Sequence, residues 1–444
     1  MRAPMRAVAA GFALLAGAAL AAPPAAPPPA QLPRIVVAFA NEPHTAPAPA
    51  GTTGSHYSGD GYRLGQSAQQ QARGVARAYA LREVASWPIK ALSMHCVVYE
   101  ITDGRPVAEV LAALSKDERV VLAQPLHEFH TLTTPGAPAA APAPAAAPAP
   151  AAPYNDPLYD LQTNLVTLGI ARAHERAQGA GVRIALIDTG VDVRHPDLAA
   201  RILSTQSFLA TLGAPAARAP SAALLRHGTA MAGLIAAVAN NHIGIVGIAP
   251  QAQLEVFEAC WQLQPDSDAA ACNTFTLARA LAAALASGSL LVNLSVAGPS
   301  DPLLTALVER GLAHGMTFVG AAGAAGEGFP AAIHGVLAAA ASEQPLPSGA
   351  FAAPAQHVLT LRPDAQYDFE SGASVAAAEL TGVIALLMSA SSTRLTTDAI
   401  VSLLSVAATA RTAAADPPIV DATAALAQLD AAHVAAAGRP RAVH

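Results

Sequence analysis

At 444 residues the chain is too long for one ordinary domain and suits two or three. Hydrophobic residues make up 53% but aromatics only 4%, so the apolar content is mostly Ala, Val, Leu and Ile, enough for a sizeable core and too much for general disorder. The net charge of −6, without a long run of either sign, argues against nucleic acid or an anionic membrane surface as the main partner.

The chain opens as an export signal. Arg2 and Arg6 precede the apolar run Ala7–Leu20, and Ala19-Leu20-Ala21 supplies the small residues of a cleavage site, so residues 1–21 are expected to be removed. The run is too short to span a bilayer and breaks into prolines, which argues against a membrane anchor. A later apolar stretch around Ile384 is interrupted by Glu379. Secretion, to the periplasm or beyond the cell, is the expected destination.

A first module is expected over residues 32–132. Arg34–Phe39 reads as a strand, and Pro43–Gly61 as an exposed loop. Gln66–Val84 has helical composition, and His95–Ile101 reads as a strand. Val107–Leu114 shows helical spacing, and Arg119–Phe129 returns as a strand. A small α+β unit results. Residues 133–153 are almost entirely Ala and Pro, an extended linker that cannot bury a face.

From residue 154 to 444 the texture changes to α/β. Val182–Ile187, apolar except for Arg183, reads as a strand of the kind covered on both faces. Then come a helix over His227–Asn240, a strand at Leu254–Glu258, a helix at Thr276–Ala286 and a strand at Leu290–Ser295. Pro302–His314 reads as a helix, Met316–Gly320 as a strand and Ser374–Ser389 as a long apolar helix. The alternation predicts a doubly wound parallel sheet flanked by helices.

The three cysteines suit an oxidising compartment. Cys260 and Cys272 stand within one short segment and are expected to close a small loop, worth about 3 kcal/mol in the chain-entropy model. Cys96 is then left over as a small buried apolar residue. No Cys-x-x-Cys or His-Glu-x-x-His pattern points to a metal site. His127 and His130 are spaced wrongly to share a helical face.

Three short signals stand in order in the α/β module. Ile187-Asp188-Thr189-Gly190 ends the first buried strand, His227-Gly228-Thr229 opens a helix, and Gly372-Ala373-Ser374 opens another. Taken singly, each reads more readily as a turn or a helix start. Together they meet the needs of acyl transfer. A serine hydroxyl requires an imidazole to take its proton, and the imidazole requires a buried carboxylate to hold its tautomer. A helix N-terminus aims free N–H groups at developing negative charge.

These residues carry a resemblance. Gly181–Leu198 (GVRIALIDTGVDVRHPDL), Arg226–Ala232 (RHGTAMA) and Ser371–Gly382 (SGASVAAAELTG) are similar to the aspartate, histidine and serine blocks of the subtilisin-like peptidases, in that family's order. The resemblance implies a seven-stranded parallel sheet and a triad of Asp188, His227 and Ser374. It also implies that residues 32–132 are a propeptide, acting as folding chaperone and temporary inhibitor, released by cleavage in or near the linker. Ser295-Val296-Ala297-Gly298 resembles the strand that pairs with an extended substrate, and Ala321-Ala322-Gly323 the opposite wall of the primary specificity pocket. The implied partners are a peptide or protein substrate and the chain's own propeptide, with the protein acting as a monomer. No cofactor is required for the chemistry. Calcium occurs in the family, but no matching ligand cluster carries over.

The chain departs from that pattern after Gly323, where Ala324 replaces the asparagine expected to donate to the oxyanion. Loss of one such donor costs roughly 10²–10³ in kcat. Ala378 stands for the usual proline, and Glu379 reads as a helix-surface carboxylate. Ala324 favours a rival reading, a subtilase fold kept for binding after its chemistry has decayed. A serine–glutamate–aspartate mechanism is disfavoured by the intact His227 block. An α/β-hydrolase using Ser374, Asp421 and His433 fails because Tyr367-Asp368-Phe369-Glu370 is no buried central strand.

Overall fold

The computed structural model describes residues 32–41, 66–133, 153–209, 224–264, 267–323, 328–409 and 419–437. Pro33–His444 gathers into one compact unit. The expected signal over 1–21, the loop over 43–61, the Ala/Pro run 134–152 and Ala324 lie outside the described residues.

The N-terminal module is a four-stranded sheet with two helices. β1 (Arg34–Ala40) lies between β3 (Met94–Ile101) and β4 (Leu122–Pro125), and β2 (Leu81–Ile89) pairs with the far edge of β3. Strand periodicity sorts the side chains. Ile35, Val37 and Phe39 of β1 pack against α1 (Gln66–Ala78) and α2 (Val107–Leu114), whereas Val36 and Ala38 join a second cluster. That cluster continues through Trp87, Ile89, Cys96 and Val98 into Phe275, Leu281 and Leu307 of the α/β module. Trp87 meets Phe275 edge-on, with ring centroids 4.6 Å apart. The sheet is therefore buried on both faces, which explains its near-continuous apolar strands.

Two sequence expectations for this module change. The helix starting at Gln66 ends at Ala78, not Val84, because Ala80 turns the chain at φ 53° and Leu81–Ile89 pairs with β3. Tertiary pairing overrides the local helical composition. The single strand expected over Arg119–Phe129 is two strands in different sheets. β4 ends at Pro125, and β5 (Glu128–Thr131) leaves the module.

After the short helices α3 (Thr163–Thr167) and α4 (Ile170–Ala173), the chain builds the central sheet from β6 (Arg183–Asp188), β7 (Ile202–Ser207), β8 (Gln253–Glu258), β11 (Leu291–Leu294), β13 (Thr317–Ala321), β14 (Val336–Ala341) and β15 (Phe351–Ala353). All seven strands are parallel, in the order β15-β14-β13-β11-β6-β8-β7. The winding reverses between β6 and β11. Ligands of open α/β sheets collect beyond the carboxyl ends of strands at such a reversal.

Helices α5 (Arg226–Ala236), α6 (Thr274–Ser287), α7 (Pro302–Ala313), α8 (Ala373–Ala390), α9 (Thr397–Thr409) and α10 (Ala422–Ala437) flank the sheet. Asn273 and Thr276 form a capping box on α6, while Asp301 caps α7 with Pro302 in its first turn. Between β8 and α6 lie the short strands β9 (Trp261–Gln262) and β10 (Ala270–Asn273), and β12 (Val296–Ala297) follows β11. A hairpin of β16 (Val358–Arg362) and β17 (Gln366–Glu370) leads into α8.

α8 is long and apolar enough to cross a membrane, yet 83% of it is buried among the core elements. It is the central helix of the fold. Glu379 on it has no exposure at all, and Asn164 donates to its Oε1 at 2.8 Å, correcting the surface reading. Burial pushes its carboxyl well above the usual range. An unpaired carboxylate would be costly there, and a protonated one is not.

Candidate active site

Asp188 ends β6 and His227 sits in the first turn of α5, both without solvent exposure. The His227 Nδ1 is 2.6 Å from Asp188 Oδ1, which also accepts the Thr189 N–H at 2.6 Å. The Thr189 hydroxyl accepts the Gly228 N–H at 2.8 Å. A Cβ on Gly228 would fall 2.5 Å from the Thr189 carbonyl, so glycine lets the helix start close on the strand end. Burial alone would lower the His227 pKa. The charge and hydrogen bond of Asp188, with Glu370 and Asp268 behind them, outweigh it and raise the value above the usual imidazole range.

Ser374 opens α8 behind Gly372, whose φ of 122° suits glycine. Its hydroxyl donates to the Ser295 carbonyl at 2.9 Å. The Ser295 hydroxyl donates in turn to the Ser374 carbonyl at 3.3 Å, and two further contacts come from the N-terminal module. The Leu132 N–H donates to Ser374 Oγ at 3.0 Å, and the Ser374 N–H donates to the Leu132 carbonyl at 3.2 Å. The His227 Nε2 is buried without a hydrogen-bond partner.

Leu132 arrives there on β5, which lies as a middle strand between β10 and β12. Both pairings are antiparallel, with Ala271 opposite His130, Cys272 opposite Phe129 and Val296 opposite Thr131. Phe129 is wholly buried, edge-on to Phe329 at 5.4 Å. Gly298 is needed there, because a Cβ would lie 2.3 Å from the Phe129 ring. Leu132 points its Cδ1 toward Gly323, 3.9 Å from where a Cβ would stand. Of the wall residues singled out in the sequence, Ser295–Gly298 thus line one side of β5, and Gly323 meets Leu132. Ala321 and Ala322 are buried in and just beyond β13.

A disulfide joins Cys260, just past β8, to Cys272 on β10 and so ties the outer edge of this cleft to the central sheet. Cys96 is buried and free, its thiol pushed up by burial. Among the described residues no group of His, Cys, Asp or Glu could hold a metal ion. His127 instead bonds Asp301 at 3.1 Å, while His130 is exposed beside Glu128.

Sequence reading missed two features. One is the position of β5, although an alternating His127–Leu132 segment just before an Ala/Pro run was a usable signal. The other is a charge cluster on the same flank, buried at Arg362 and Glu370 and half-buried at Asp268 and Arg226. Arg362 grips Asp268 with Nη1 at 2.6 Å and Nη2 at 3.2 Å, and its Nη2 lies 2.7 Å from Glu370. Arg226, next to His227, donates to Asp268 at 3.0 Å. Only spatial proximity links these residues, and no local motif marks them.

The parallel seven-stranded sheet, with an Asp–His pair and a helix-opening serine at its reversal, defines a subtilisin-like serine peptidase. The family model of the subtilases matches residues 179–422, and the chain belongs to that family. Thermitase of Thermoactinomyces vulgaris is 30% identical over 250 residues, 53% of this chain and 85% of its own. M-protease of Shouchella clausii is 30% identical over 312 residues, 65% of this chain and 78% of its own. Among solved structures, fervidolysin from Fervidobacterium pennivorans, a keratinolytic enzyme related to subtilisin, superposes with a TM-score of 0.67 at 19% identity. The match covers 89% of this chain and 61% of fervidolysin, and at that identity it speaks for the fold alone. A protease from Pseudoalteromonas arctica superposes with a TM-score of 0.54 at 25% identity, covering 62% of this chain and 99% of its own.

Proposed function

We propose that the chain is an exported serine endopeptidase that uses Asp188, His227 and Ser374 as its triad and first cuts itself between Leu132 and Thr133. One observation carries this reading: Ser374 meets Leu132 twice, its Oγ accepting the Leu132 N–H and its backbone N–H donating to the Leu132 carbonyl of the 132–133 peptide. A serine whose own N–H holds the carbonyl oxygen of the residue beside its hydroxyl is placed as acyl transfer needs.

In the reaction the Ser374 hydroxyl turns from the Ser295 carbonyl to His227 Nε2, which takes its proton as Oγ attacks the Leu132 carbonyl carbon. Asp188 holds the Nδ1–H and stabilises the imidazolium. Negative charge on the Leu132 oxygen is met by the Ser374 N–H. The imidazolium then protonates the departing Thr133 amine, and water releases the acyl group by the reverse route. The substrates are peptides or proteins whose extended strand takes the place of β5.

Residues 32–132 serve in this reading as a propeptide that occupies the cleft in cis until processing, residues 133–153 as a linker, and residues 154–444 as the peptidase proper. The sequence of residues 1–21 and the Cys260–Cys272 disulfide support export to the periplasm or the medium. The protein acts as a monomer, since the chain supplies its own cleft strand. With Ala324 in place of an asparagine, turnover is low for the family. Ala324→Asn is expected to raise kcat by roughly 10²-fold, read with a chromogenic peptide. An unchanged rate would mean that another donor fills the hole.

The pH profile follows from His227. Only the neutral imidazole accepts the serine proton, so kcat/KM falls as pH drops through its raised pKa. The midpoint of the acid limb is expected above about 6.5, the ordinary histidine value. A midpoint below that would contradict the Asp188–His227 pairing as the working base.

A fluorophosphonate probe tests the reading directly. It is expected to label the processed protein at Ser374 and to leave Ser374→Ala unlabelled. A folded protein that takes no label, even after another protease has removed residues 32–132, would establish the alternative, a subtilase fold that binds without turnover.

A further inference from the structure

The residue before Leu132 is read by its side chain as well as its backbone. Thr131 is buried, and its hydroxyl accepts the Ala270 N–H at 2.9 Å while donating to the Asp268 carbonyl at 3.4 Å. The first bond is dictated by the strand pattern. Leu263 donates to the Ala269 carbonyl just beyond the β9–β10 pairs, which sets the alternation of the ladder. The next pair, Gln262 with Ala270, is then a non-bonded one, and the Ala270 N–H faces β5 instead. There its acceptor is the Thr131 hydroxyl.

The loop making these contacts is held rigid by charge. Asp268 takes the Arg362 guanidinium in a two-pronged grip and also accepts from Arg226. Arg362 is almost wholly buried and is shared with Glu370, on the strand leading to Ser374. A bidentate pair fixes direction as well as distance. The carbonyl of residue 268 and the N–H of residue 270 are therefore preset at the spacing of one hydroxyl.

Resting on the peptidase reading above, we infer that the cleft selects substrates with threonine or serine at the second residue before the cut. Asp268 and Ala270 are the reading groups, and Arg362 is the positioning residue. Valine has the shape of threonine but leaves the Ala270 N–H buried and unpaired, which a preset site penalises more than a lost contact.

Two measurements test this. In the full chain carrying Ser374→Ala, which cannot cut itself, amide exchange of residues 128–132 reports release of β5. Thr131→Val is expected to speed that exchange roughly 10-fold, and Thr131→Ser to leave it within about 2-fold of the parent. Adding Arg362→Lys, which keeps the charge but not the fork, is expected to shrink the threonine–valine contrast below about 3-fold. A merely structural Arg362 would slow or speed both alike. In the second measurement the processed enzyme is offered two peptides differing only as threonine or valine at that position, with kcat/KM roughly 10-fold higher expected for threonine. Equal exchange and equal kcat/KM would overturn the inference. Exchange that differs while neither peptide is cut would uphold the hydroxyl readout and overturn the peptidase reading instead.

Discussion

Asp188→Asn is expected to lower turnover by about 10⁴-fold while leaving the protein folded. Asp188 Oδ1 faces the His227 Nδ1 at 2.6 Å, and neither residue has any exposure. Asparagine fills the same space, so packing around β6 is kept. It presents either an N–H or a neutral oxygen to Nδ1. The first forces the tautomer with its proton on Nε2, where the base must be free, and the second stabilises the imidazolium far less. The Asp188 charge is also what lifts the His227 pKa against its burial, so the residual activity should extend to lower pH than in the parent. Steady-state rates and thermal unfolding, measured on one preparation, check both halves. Turnover within about 10-fold of the parent would show that another group orients the imidazole.

Gly372→Ala is expected to have the next largest effect, for a different reason. A Cβ at Gly372 would stand 2.2 Å from the Leu132 carbonyl oxygen and 2.9 Å from the Thr133 Cα. Both atoms belong to the segment just past β5, so the clash falls on the bound peptide. Displacing a reacting carbonyl by about 1 Å costs on the order of 10²-fold. The φ of 122° adds about 1–3 kcal/mol of backbone strain. The variant should therefore unfold at somewhat lower temperature and leave the 132–133 bond largely uncut. Processing at the parental rate would place the scissile bond elsewhere.

Much of the fold is legible in the chain because the relevant signals are local. Ile184–Ile187 is a run of apolar residues that only a strand covered on both faces requires, and Asp301-Pro302 announces the start of α7. The Asp188, His227 and Ser374 motifs are equally local, each lying at the end of an element where a side chain reaches the sheet reversal. What escapes sequence reading depends on partners distant in the chain. β2 carries Arg82, Glu83 and Ala85, a helical composition, and is a strand because β3 offers an open edge. β5 runs on from β4 without a break in texture, and only β10 and β12 pull it out of its own module. Glu379 occupies a helix position that looks exposed until α3 brings Asn164 against it. The Arg362 cluster is assembled from four segments, none of which carries a motif.

Leu132 is, in the proposed reaction, the residue that Ser374 acts upon. Intact mass and N-terminal sequencing of the purified protein, parent beside Ser374→Ala, test this most directly. The parent is expected to yield a chain beginning at Thr133, and the variant to keep residues 132 and 133 joined. A parent that remains joined there, or a variant cut at the same bond, would contradict it.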